Sequence, residues 1–131
     1  MIGVDTTFLI DILRNIPAAA AKAVQLDMEI EVLTTEANVY EVVSGSPKLT
    51  DPDRAIHDLD VLLSRLVVLP LDRKSSIRAG MISNDLQKKG KMIDDVDCLT
   101  AGILMANGCN TIVTRNVKHF KRIPGLQVVS Y

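Results

Sequence analysis

Aromatic side chains are scarce in this chain, at 3% of 131 residues with no tryptophan. Stacking platforms that hold single-stranded bases are therefore not expected, and any bound nucleic acid would be gripped through its phosphates. Cysteine is nearly as rare. Cys98 and Cys109 lack Cys-x-x-Cys spacing and have few histidines to join them, so two buried thiols are expected rather than a zinc site. His57 and His119 stand alone in sequence and read as surface or capping residues. No apolar stretch is long enough to cross a bilayer, and no charged segment followed by an apolar one opens the chain. The expectation is a soluble, cytoplasmic protein with no membrane partner.

An excess of one charge is missing too. The formal net charge is −1, which excludes a global basic field as the sign of a nucleic-acid partner. The charge is nevertheless uneven. Residues 110–131 hold four Lys/Arg and no Asp/Glu, and Lys88, Lys89 and Lys91 form a second basic group. Such runs are either solvated faces or a rim for a polyanion. Apolar residues make up 47% and charged residues 24%, the mixture of a globular protein. The length suits one domain, residues 1–131, with a core that needs no disulfide.

Short apolar runs alternate with helical patterns. Residues 1–4 read as a buried strand, followed by capping groups at Asp5, Thr6 and Thr7 and a helix face of Phe8, Leu9, Ile10, Ile12 and Leu13. Pro17 opens a second helix that runs to Leu26. Residues 30–34 form the second strand, then a helix from Glu36 stops at Gly45 and Pro47. Asp51, Pro52 and Asp53 start another helix, and residues 66–69 the third strand. Helices follow over residues 72–89, closed by Gly90, and over residues 94–106, closed by Asn107 and Gly108. Residues 111–114 are the fourth strand and residues 126–129 an edge strand. Apolar strands without clean alternation, separated by helices, predict a mainly parallel sheet of four to five strands. Helices should cover both of its faces, in three α/β/α layers.

In such a sheet, ligands gather beyond the carboxyl ends of the strands. Asp5 follows the first strand there, Glu41 rides the helix entered from the second, and Asp94 and Asp97 share a face near a helix start. Asp5 and Asp94 also read as plain helix caps. Glu41 and Asp97 sit in largely apolar segments, where an ionised carboxylate suffers desolvation unless something compensates it. Carboxylates that converge repel one another, and a hard divalent cation is the usual occupant of a pocket that collects them.

These segments together resemble a known family. Residues 2–6, with Asp5, resemble the opening strand and metal-binding aspartate of PIN-domain ribonucleases, in particular the VapC-like toxins of toxin–antitoxin pairs. Residues 38–45 are similar to the family's Thr-x-x-Glu-x-x-x-Gly pattern, with Glu41 as the acid and Gly45 as the glycine. Residues 97–102 resemble its Asp-x-x-Ile-Ala-Ala helix start, and residues 114–120 its closing Thr-x-Asn/Asp-x-x-x-Phe segment. Asn38 stands at the family's more usual threonine, Thr100 and Gly102 replace isoleucine and alanine, and Asn116 stands where many members have aspartate.

The resemblance implies a Mg²⁺- or Mn²⁺-dependent endoribonuclease, inhibited by an antitoxin protein and assembled as a homodimer. It implies Asp5, Glu41 and Asp97 as the catalytic, metal-binding acids, with Asp94 as a more distant or second-site ligand. Thr6, Thr114, Arg115 and Asn116 are the expected substrate contacts, and Lys118, His119 and Lys121 would extend an RNA track. Two alternatives remain open. One is a PIN-like module that binds RNA or protein without catalysis. The other is a phosphorelay receiver with Asp72 as acceptor, although residues 126–131 lack the lysine that such a domain needs.

Overall fold

The computed structural model describes residues 1–29, 31–45 and 51–131. Ile30, expected at the start of the second strand, and Pro47, expected to stop the following helix, lie outside the described residues. The elements run β1 (Ile2–Val4), α1 (Thr6–Leu13), α2 (Pro17–Leu26), β2 (Val32–Thr35), α3 (Glu36–Ser44) and α4 (Pro52–Leu63). They continue with β3 (Val67–Leu69), α5 (Arg73–Lys88), α6 (Asp95–Ala106), β4 (Thr111–Val113), α7 (Val117–Phe120) and β5 (Gln127–Val129). The strands form one sheet in the order β3-β2-β1-β4-β5, and all four pairings are parallel.

Period-two alternation along these short strands splits the core between the two faces of the sheet. Leu33 and Ile112 pack with Ile82, Leu86, Ala101, Leu104 and Phe120 from α5, α6 and α7. Ile2, Val4 and Val113 pack on the other side with Phe8, Leu9, Leu26, Val42 and Leu59 from α1 to α4. Each fully buried Leu, Ile or Phe contributes about 1.5–3 kcal/mol. Gly3 matters to this arrangement, since a Cβ there would meet Leu104 Cδ1 at 2.5 Å. Its absence lets α6 press directly on the central strand.

The helix ends follow from local chemistry. Asp5, Thr35, Asp51 and Asp72 cap α1, α3, α4 and α5, each accepting a backbone N–H three residues on. Gly90 and Gly108 follow α5 and α6 at φ of 66° and 81°, where a Cβ would be strained. Because all strands are parallel, their carboxyl ends share one edge. The strand order reverses direction between β1 and β4, which makes that gap the topological switch point where ligands collect. Several element boundaries shift by a residue or two from the sequence reading, and one helix was not expected. The second strand reaches Thr35 rather than ending at Thr34, and α7 is a helix of four residues that no periodic pattern announced.

Candidate metal centre

The switch point brings Asp5, at the end of β1, against Thr114, at the end of β4. Asp5 is 2% exposed, and its carboxylate accepts from Thr114 Oγ1 at 2.6 Å, Thr7 Oγ1 at 2.7 Å and the Phe8 N–H at 3.2 Å. Burial still wins over these bonds. It lifts the Asp5 carboxyl from 3.8 to about 6, with the Asp97 charge adding to the rise. Asp97 is likewise buried, in the first turn of α6, and its carboxyl is raised. Burial is the main cause and the Glu41 and Asp94 charges add to it, while His119 works in the opposite direction. The Asp97 charge thus acts on Asp5, at the end of β1, and the charges of Glu41 from α3 and Asp94 at the start of α6 act on Asp97.

Asp94 takes the N-cap position of α6 but makes no capping hydrogen bond, so its exposed carboxylate is free to face the group. Glu41 is only half-buried, because Tyr40 and Val43 beside it are 68% and 40% exposed. The apolar look of that segment overstated its burial, and the desolvation argument applies to Asp97 rather than to Glu41.

His119, read from sequence as a surface or capping residue, faces this group. Asp97 Oδ2, Asn116 Nδ2 and His119 Nδ1 form a triangle with edges of 3.0, 2.9 and 2.9 Å. With Asp97 ionised, protons cannot satisfy all three edges. A protonated Nδ1 donates to Asp97 but then opposes the amide N–H; an unprotonated one accepts from the amide but opposes the carboxylate. Donor atoms of Asp94, Asp97 and His119 also lie within 4.8 Å of one another. A cation seated among these ligands resolves both the carboxylate repulsion and the triangle, so the donor set fits a divalent ion. The i, i+3 spacing of Asn116 and His119 was the available signal for this histidine.

Three of the expected phosphate contacts are turned elsewhere. Thr6 is 5% exposed, and its hydroxyl accepts from Asn38 Nδ2 at 3.0 Å. Thr114 is fully buried; its hydroxyl donates to Asp5 and accepts from the Asn116 N–H at 2.8 Å. Both threonines shape the site from behind. Arg115 lays its guanidinium on buried Asp11, with Nε at 3.0 Å and Nη2 at 3.1 Å. Tyr131 Oη donates to the same carboxylate at 2.7 Å. The Arg115 fork is thus already matched to an anion within the protein. Asp72 sits at the far edge beyond β3, exposed and occupied as a cap of α5, which removes the receiver alternative. Cys98 and Cys109 are buried free thiols, as expected.

A parallel α/β/α scaffold with clustered acids at its switch point defines a class of metal-assisted phosphodiester enzymes and their inactive relatives. The comparisons narrow that class. A PIN domain model matches residues 2–126, and the chain belongs to the PIN-domain family. It is 28% identical over 124 residues to the tRNA(fMet)-specific endonuclease VapC of Salmonella typhimurium, covering 95% of this chain and 92% of that one. It is 35% identical over 86 residues to Ribonuclease VapC2 of Rickettsia felis, covering 66% and 63% respectively. Among solved structures, VapBC2 from Rickettsia felis bound to a DNA fragment from its promoter superposes with a TM-score of 0.87. That match has 26% identity and covers 100% of this chain and 99% of that chain.

Proposed function

We propose that this chain is a divalent-metal-dependent endoribonuclease and the toxin of a VapBC-type toxin–antitoxin pair. The observation that carries this reading is the convergence of Asp94, Asp97 and His119 donor atoms within 4.8 Å of one another, with the charges of Glu41 and Asp94 acting on Asp97 and that of Asp97 acting on buried Asp5. The curated relatives are named as ribonucleases, and a solved relative is a VapBC assembly, which supports RNA as substrate and a VapB-like antitoxin as partner. A cytoplasmic homodimer, folded as one domain over residues 1–131, is part of the same reading. Among the described residues no helix is long and apolar enough to cross a membrane.

In this reading Asp5, Glu41 and Asp97 hold Mg²⁺ or Mn²⁺, with Asp94 and His119 completing the ligand set. An ion held by these residues would supply a coordinated water of lowered pKa and screening of charge gathering on the phosphate. Thr7 and Thr114 fix both oxygens of Asp5, and Asn116 orients Asp97. The imidazole among the ligands favours Mn²⁺ over Mg²⁺, whose preference is for oxygen alone. A second reading, a binding module without catalysis, draws on Asn116, whose amide occupies an oxygen of Asp97 in place of another acid.

One assay separates the two. The purified protein is incubated with structured RNA and Mn²⁺, with and without a chelator. Cleavage that the chelator stops and added Mn²⁺ restores supports the nuclease; intact RNA that is nonetheless bound supports the module.

A further inference from the structure

Asn38 is 1% exposed, yet its side chain uses a full complement of hydrogen bonds. Its Oδ1 accepts from Thr35 Oγ1 at 2.7 Å, and its Nδ2 donates to Thr6 Oγ1 at 3.0 Å and Thr100 Oγ1 at 2.9 Å. A buried amide meeting its needs with three hydroxyls from three different elements is a costly thing to build and to break. The placement of those partners is the informative part. Thr6 directly follows Asp5, Thr100 lies one turn beyond Asp97 on α6, and Asn38 itself lies one turn before Glu41 on α3. One amide therefore joins the three segments that carry the three acids.

We infer that Asn38 is a positioning residue for the metal centre. It touches neither ion nor RNA, and sets the separation of Asp5, Glu41 and Asp97 by tying α1, α3 and α6 together behind them. This inference rests on the metal-dependent reading above. The alternative is that Asn38 contributes to stability alone, as any buried polar junction does. The two differ in what happens to a molecule that remains folded. Three carboxylates that repel one another spread apart when their common tie is cut, so the ion is held more weakly even in intact protein. Partners lying behind metal ligands typically matter by about 10- to 100-fold in metal affinity.

The test is calorimetric titration of Mn²⁺ into the parent, Asn38→Ala, Thr100→Val and Leu26→Ala, each held well below its melting temperature. Leu26 is buried in the core on the other face of the sheet and lies on α2, which carries none of the acids and none of the tie's residues, so it supplies a destabilised control. Asn38→Ala should bind Mn²⁺ about 10- to 100-fold more weakly, and Leu26→Ala as tightly as the parent. RNA cleavage by Asn38→Ala should recover as Mn²⁺ is raised, which a purely structural role does not predict. Parent-like affinity in Asn38→Ala overturns the inference, and so does equal weakening in Leu26→Ala. If Asn38→Ala does not fold, Thr100→Val decides by the same criterion, having lost one of the three bonds. A parent that binds no Mn²⁺ overturns the metal-dependent reading itself, and this inference with it.

Discussion

At the scale of single residues, the site is governed by how each carboxylate is placed between water and protein. Asp97 is buried and surrounded by Asp5, Glu41 and Asp94, so it feels the field of the whole group. Asp97→Asn should lower Mn²⁺-dependent RNA cleavage by at least about 100-fold, because several kcal/mol of charge stabilisation is withdrawn. The far-UV circular dichroism spectrum should stay native. A variant that cuts as fast as the parent would remove Asp97 from the site. Asp5, Asp94 and Asp97 were visible in sequence because each follows a strand or opens a helix, and Glu41 because it stands as an acid in a largely apolar helical segment entered from β2. His119 and the tie made by Asn38 were not. Its spacing from Asn116 is the one faint trace that His119 leaves in the chain, and a lone buried amide signals nothing until the third dimension supplies its partners. Thr6, Thr114 and Arg115 were read to the right neighbourhood with the wrong orientation. Strand-end position fixes where a residue lies, not whether its polar atoms face the crevice or the protein behind it.

Among the elements, α6 does most to position the site, and its fit against α5 is close. A Cβ at Gly102 would lie 2.6 Å from the backbone N and Cα of Ala79, atoms that cannot swing aside. Gly102→Ala should therefore destabilise the fold by about 1–3 kcal/mol, measured by urea denaturation. It should also loosen Mn²⁺ binding, since Asp94 and Asp97 open the displaced helix. Unchanged stability would mean that the two helices separate freely. Most elements were legible in the chain. Caps at Asp5, Asp51 and Asp72, the proline starts at Pro17 and Pro52, and the glycines after α5 and α6 are local signals that survive in the fold. The four-residue α7 is too short to show a helical period, and a threonine that both ends β2 and caps α3 belongs to either element by propensity alone.

For the molecule as a whole, the acidic group couples folding to pH and to metal. Asp5 holds its proton more tightly when folded, at about 6, than when unfolded, at 3.8. The linked stabilisation of metal-free protein is therefore full below pH 3.8 and is lost as pH rises through about 6. Its size is on the order of 3 kcal/mol, from a shift of about two units. With chelator present, this contribution should make the melting temperature fall across that window, relative to an Asp5→Asn variant. Added Mn²⁺ should raise the parent's melting temperature above pH 6, since it binds the ionised folded form. Absence of both effects would show that the Asp5 carboxyl is neither buried as placed nor part of an ion site. A last consequence follows from the Thr114–Asp5 bond, which closes the crevice between positions 109 apart in the chain. Pairings this distant are slow to form, because most of the loop entropy is lost before they return anything. In refolding from denaturant, the helical signal should appear before competence to bind Mn²⁺. A polypeptide still emerging from the ribosome carries the first three acid-bearing segments well before β4 arrives to wall them in. Competence to hold the ion, and with it any hydrolysis, should therefore appear only after β4 has joined β1.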